Sequence, residues 1–257
     1  LDGFGVINVG MEKIDGIDKF FRHAELAGKP VVVLTNGASA PLAVVAEKYL
    51  RWGLPVTAQR IVSSRDALVA ALPAVDQRAK FLQLDCNTRL LNGLTSSSNA
   101  TFDLFDTAEG FVFLGSSGWD EDNQALLEQS LLRRKRPILV GNPDVSAPYP
   151  HRFSAEPGYW IARAMKAVPG LRPRWFGKPH LPVFQLAVDK VNQLATVPVP
   201  NHRIAMVGDS LHTDILGGAA AGLGTILITN YGLLRGHDAG QLCAEMKIFP
   251  DWEVRLI

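Results

Sequence analysis

Two apolar patterns alternate along the chain. Short runs rich in β-branched and aliphatic residues, such as VVVLT (31–35), RIVSS (60–64), RIAMVGD (203–209) and TILIT (225–229), end in polar or turn residues and predict buried strands. Between them lie longer amphipathic stretches. PLAVVAEKYLRWG (41–53) opens on Pro41 and closes on Gly53, the asymmetry expected of a helix. RDALVAAL (65–72), PVFQLAVDKVNQL (182–194) and LHTDILGGAAAG (211–222) also read as helices. Apolar strands alternating with helices predict a Rossmann-like parallel sheet in an α/β fold.

The middle of the chain changes character. FLQLD (81–85) leads into the polar, turn-rich NGLTSSSNATFD (92–103). FVFLG (111–115), a helix near 121–134 and PILVG (137–141) follow. A composition shift near 73–77 and the Pro-rich LRPRWFGKP (171–179) mark two seams. The expectation is an α/β core made of residues 1–74 and 173–257, interrupted by a smaller inserted α/β domain at 75–172.

Composition narrows the function classes. Hydrophobic residues make up 47% and charged residues 20%, the profile of an ordinary globular chain. A formal net charge of +1 gives no field favouring nucleic acid. The basic run LLRRKRP (131–137) falls at the end of an expected helix, where cations complement the dipole. Cys86 and Cys243 form no CxxC pair, so neither a disulfide framework nor a zinc site is expected, and a reducing, cytoplasmic setting is. No apolar run reaches the ~18 residues of a membrane span.

Parallel α/β sheets bind ligands beyond the carboxyl ends of their strands. Candidate groups fall there. Asp2 closes a first strand, and Thr35 and Asn36 close VVVLT. Asp209 closes RIAMVG with Asp214 one helical turn on, and Lys178 precedes a helix. Strand-end carboxylates suit a hard cation such as Mg²⁺, while a lysine and a hydroxyl suit phosphate oxygens. The set fits phosphoryl transfer, in which positioning and charge neutralisation carry most of the catalysis. Singly, each signal has a plainer reading, since strand-end Asp and Thr residues often cap helices and an isolated lysine is usually a solvated one.

In combination and in this chain order, the residues resemble the haloacid dehalogenase (HAD) superfamily of phosphohydrolases, within class IIA. LDGFGV resembles the family's nucleophile motif, VVVLTN its Ser/Thr motif, FGKP its lysine motif and MVGDSLHTDILGGAAAGL its second acidic motif. GNPDV (141–145) resembles a segment of class IIA caps. The resemblance implies a phosphatase of sugar phosphates, nucleotides or pyridoxal phosphate, with an inserted cap. It implies nucleophilic attack by Asp2 and Mg²⁺ held by Asp2, the Phe4 carbonyl and Asp209. Asp214 would orient Lys178 or metal-bound water. Thr35, Asn36 and Lys178 would hold the phosphoryl group. Asn142 and Asp144 belong to the cap–core seam, as substrate contacts or as structure. Trp119 and Asp120, just ahead of the helix near 121, read either as pocket residues or as surface loop. The resemblance also implies a strand of several apolar residues before Asp2, with Leu1 its last member and a few tens of residues upstream. A homodimer is one option for assembly.

One position departs from that pattern. The family places an acid/base carboxylate two residues after the nucleophile, and this chain has Phe4 there. Three readings stay open: a phosphatase limited to good leaving groups, one with a substitute acid such as His212 or a cap residue (Asp120, Asp122), or a catalytically impaired phosphate-ligand binding or regulatory protein.

Overall fold

The computed structural model describes residues 1–72, 78, 80–84, 90–97, 101–149 and 152–257. The chain divides into two compact units, one formed by Leu1–Thr35, Leu42–Ser63 and Lys178–Ile257, the other by Asn36–Pro41 and Ser64–Gly177. The boundary expected at 74/75 and the residue Cys86 lie outside the described residues.

In the first unit, Val33–Thr35 pairs in parallel with Ile61–Ser63, and Ala205–Gly208, Gly224–Ile228 and Trp252–Val254 form a second parallel set. Leu1 and Asp2 stitch the two together. The Leu1 amine donates to the Val32 carbonyl at 2.8 Å, Leu34 N–H donates to Leu1 at 2.8 Å, and Asp2 N–H donates to Val207 at 2.8 Å. This is the parallel α/β core that the alternating pattern predicts. The inner strands are buried on both faces, which is why they read as continuous apolar runs, while Trp252–Val254 at the edge is largely exposed. Their core joins Val33, Tyr49, Ile61, Val207 and Ile228 to Ile17 and Phe21 of the helix Ile17–Leu26. That helix falls where the apolar pattern predicts no element. In line with Leu1, an apolar cavity of about 630 Å³ is lined by residues including Phe20, Val32, Val188, Val191 and Met206.

The second unit carries its own five-stranded sheet, in the order Arg174–Trp175, Ile138–Val140, Gly110–Phe113, Phe81–Gln83, Thr95–Ser96, parallel throughout. Ser146–Tyr149 and Arg152–Ala155 form a separate antiparallel hairpin. Its core is aromatic: Phe105, Phe111, Phe113, Trp119 and Trp160 pack with Leu127, Leu131 and Ile161. Trp119 is a core residue here, not part of a surface loop. Its indole donates to Gln124 at 3.0 Å, while Asp120 caps the helix Glu121–Arg133 by accepting from Asn123 N–H at 2.9 Å. The basic run serves packing as well as that helix's own dipole. The buried Arg136 guanidinium donates to the carbonyls of Phe105, Asp106 and Ala108, at 2.7, 3.0 and 3.0 Å, at the end of the helix Phe102–Thr107.

Candidate active site

Four of the sequence-selected side chains converge in the first unit, each carried by a strand end or helix start. Asp2 follows Leu1 in the segment bonded to the strands on either side, and Asp209 follows Ala205–Gly208. Lys178 lies three residues ahead of the helix Leu181–Leu194. Asp214 sits in a wide π-type turn, Leu211–Ile215, where a regular helix is expected from the apolar pattern. In that turn both Asp214 N–H and Ile215 N–H reach the Ser210 carbonyl, at 3.1 and 3.2 Å. The extra residue in the turn brings the Asp214 carboxylate back onto Ser210 N–H, at 3.2 Å.

The Lys178 ammonium lies 2.8 Å from Asp2 Oδ1 and 2.6 Å from Asp214 Oδ1, and all but 2% of its side chain is buried. Burial opposes its charge, but Asp2 and Asp214 outweigh burial and hold the lysine protonated. Asp2 Oδ1 also accepts from Gly3 N–H at 2.7 Å, and Asp209 Oδ2 accepts from Leu233 N–H at 2.9 Å. Burial, then repulsion from Asp2 and Asp214, pushes the Asp209 carboxyl above its usual range. Burial, then Asp2, pushes Asp214 up to about 7, and Lys178 only partly offsets this.

One oxygen from each of Asp2, Asp209 and Asp214 falls within 4.8 Å of the others. Three buried carboxylates against one ammonium leave excess negative charge, and the donors are all hard oxygens. That donor chemistry fits a divalent cation. Two backbone contacts make the close packing around Asp209 feasible. Gly5 and Gly232 have φ of +77° and +76°, and a Cβ on either would sit 2.3 or 1.7 Å from Asp209 Oδ2. The loop carrying Gly232 and Leu233 is a part of the site that the motif reading misses. Its sequence signal, a lone glycine after a strand, is too common to stand out.

The remaining candidates are placed as follows. Thr35 ends its strand opposite Ser63 of the neighbouring strand. Phe4 lies in the tight turn after Asp2, bridged to Asn8. His212 is exposed on the wide turn. Asn36, Asn142 and Asp144 belong to the second unit and bond to one another there.

Comparison with known proteins agrees with this geometry. A model of haloacid dehalogenase-like hydrolases matches residues 1–90, and a HAD-hydrolase-like model matches residues 175–246, together more than half of the chain. A dihydroxyacetone phosphatase from Corynebacterium glutamicum is 25% identical over 87% of this chain and 78% of its own length. An acid sugar phosphatase from Staphylococcus aureus is 25% identical over 88% and 83%. Among solved structures, a possible sugar phosphatase of the HAD superfamily from Cytophaga hutchinsonii superposes with a TM-score of 0.84 at 26% identity, covering 99% of this chain and 92% of that one. NagD from E. coli shares the fold, with a TM-score of 0.69 at 22% identity, covering 98% and 93%. With its strand-end carboxylates and buried lysine in place, the chain belongs to the haloacid dehalogenase superfamily of phosphohydrolases, in the class IIA branch.

Proposed function

We propose that the protein is a Mg²⁺-dependent phosphatase of small phosphorylated metabolites, in the sugar-phosphate, nucleotide or pyridoxal-phosphate range. The observation that carries this reading is the buried Asp2–Lys178–Asp214 array beside Asp209. The sugar-phosphate end of that range is favoured by the relatives' names, dihydroxyacetone phosphatase and acid sugar phosphatase. Asp2, Asp209 and the Phe4 carbonyl would hold the cation, with Asp214 behind them. When bound, the cation supplies charge neutralisation of the phosphoryl oxygens and of the carboxylates.

The chain's own residues account for the rest. The Asp2 carboxylate attacks phosphorus, forming an acyl-phosphate as the P–O bond to the alcohol breaks. Water then attacks phosphorus and releases inorganic phosphate and free Asp2. Lys178, held protonated by its two aspartates, neutralises phosphoryl oxygens as charge builds on them. Asp214 fixes the direction of the lysine and keeps the ammonium aligned with Asp2. Thr35 and Asn36 would bind the remaining phosphoryl oxygens. The second unit, 36–41 and 64–177, would act as the specificity cap.

Replacing Asp2 by Asn tests the reading. The variant keeps the volume and a hydrogen-bond acceptor, so it should fold. Its Mg²⁺-dependent phosphate release should fall at least ~1,000-fold on the best substrate of a metabolite screen. Retention of most of the activity would remove Asp2 as nucleophile. A wild-type protein that binds phosphate esters without releasing phosphate would favour the binding-protein reading that Phe4 raises.

A further inference from the structure

The chain passes between its two units after Thr35, Pro41, Ser63 and Gly177. Two of these crossings, at Asn36 and Gly177, meet within the second unit at the segment Asn142–Asp144, and a third, at Ser64, bonds to Asn36. The Asn36 side-chain amide donates to Asp144 Oδ1 at 2.8 Å. Ser64 Oγ donates to the Asn36 carbonyl at 2.9 Å. Gly177 packs so tightly that a Cβ there would lie 2.3 Å from Pro143 Cδ and 2.6 Å from Asn36 Oδ1.

Asp144 is itself held in place. Its N–H donates to Asn142 Oδ1 at 3.0 Å, and the Asn142 amide donates to Glu156 Oε2 at 3.1 Å. Ser154 Oγ donates to the other Glu156 oxygen. Behind Pro143, Gly158 leaves no room for a side chain: a Cβ would meet the Pro143 carbonyl at 2.1 Å. Asn36 and Asn142 are both buried. A buried amide aimed at a carboxylate is a charge-assisted bond whose loss strands a polar group. This chain of contacts holds Asp144 toward Asn36, the residue next after Thr35.

We propose that Asp144 is a positioning residue: it fixes Asn36, and so the path of the chain directly after Thr35, without touching substrate. The inference rests on the phosphatase reading above for its kinetic consequence. It assigns the carboxylate to the phosphate-binding turn rather than to the alcohol part of the substrate. Loss of Asp144 therefore weakens binding of every phosphate ester, and of inorganic phosphate itself, by a similar factor.

The experiment compares wild type, Asp144→Ala, Asp144→Asn, Asn36→Ala and the Asp144→Ala/Asn36→Ala double variant. It measures kcat, KM for two esters with different alcohols, the inhibition constant of inorganic phosphate, and the thermal midpoint. Asp144→Ala should raise KM and the phosphate constant by about 10-fold, the equivalent of one charge-assisted bond, with a smaller change in kcat. Asp144→Asn keeps an oxygen acceptor for the Asn36 amide and should recover most of the loss. In the Asn36→Ala background, Asp144→Ala should add nothing. Additive losses in the double variant would overturn the proposal. So would a KM change confined to one ester with the phosphate constant unmoved, which would make Asp144 a substrate contact. If Asp144→Ala does not fold, Asp144→Ser, too short to reach the amide, takes its place. If wild type turns over no ester, the phosphatase reading fails separately, and calorimetric titration with inorganic phosphate carries the same comparison of variants.

Discussion

Phe4 is the residue that most separates this site from its family pattern. A phenyl ring neither protonates a departing alkoxide nor activates water, and such help is typically worth ~10²–10⁴-fold. Aryl and acyl phosphates, whose leaving groups need little protonation, should accordingly outpace alkyl phosphates in steady-state assays. Phe4→Asp should raise alkyl-phosphate turnover, by up to ~10²-fold where the carboxylate is accommodated. The thermal midpoint is measured alongside, because Phe4 is half-buried and losing its packing can cost a few kcal/mol. A flat leaving-group dependence in wild type, with no gain in a folded Phe4→Asp variant, would mean that another group already moves the proton. Of the substitutes raised by the sequence, Asp120 is occupied as a helix cap and His212 is exposed on the turn that carries Asp214.

At the scale of elements, Asp2, the proposed nucleophile, is positioned by main-chain bonds of Leu1 and Asp2 to the strands on either side. In strands, the N–H and C=O groups of alternate residues face one neighbour, so Val32, Ala205 and Val207 present their groups toward the Leu1 side.

For the molecule as a whole, the acidic centre couples stability to protons and, on the proposed function, to a divalent cation. Asp209 is raised by burial and by its neighbours, and Asp214 is raised from 3.8 to about 7. The native state therefore holds protons that the unfolded chain has already released. Metal-free stability from Asp214 falls as pH rises from ~4 through ~7, and Asp209 adds a fall in the same direction. A divalent cation competes with those protons, so its stabilising effect has the opposite trend. The thermal shift produced by Mg²⁺ should be small at pH 5, larger at pH 8, and largely absent in Asp209→Asn. A shift independent of pH, or retained in Asp209→Asn, would place the ion elsewhere. No helix among the described residues is long and apolar enough to cross a membrane.

The strand ends of the core were legible in the sequence because a buried parallel strand must be apolar until the residue where it meets solvent or ligand. Asp2, Thr35 and Asp209 stand at that change, and Lys178 stands just before a helix whose periodicity is plain. Chain order then made the set recognisable as one family's. The helix Ile17–Leu26, the wide turn at Leu211–Ile215 and the Gly232–Leu233 contact to Asp209 were not legible. Each depends on partners distant in sequence: Phe21 on the core, Asp214 on Lys178 across 36 residues, Leu233 on Asp209 across 24. The same holds for Asn36 and Asp144, which are 108 residues apart. Local pattern determines which residues are apolar, which turn and which carry charge. Which carboxylate faces which amide or ammonium is decided only when burial removes water as the competing partner, and that choice belongs to the tertiary structure.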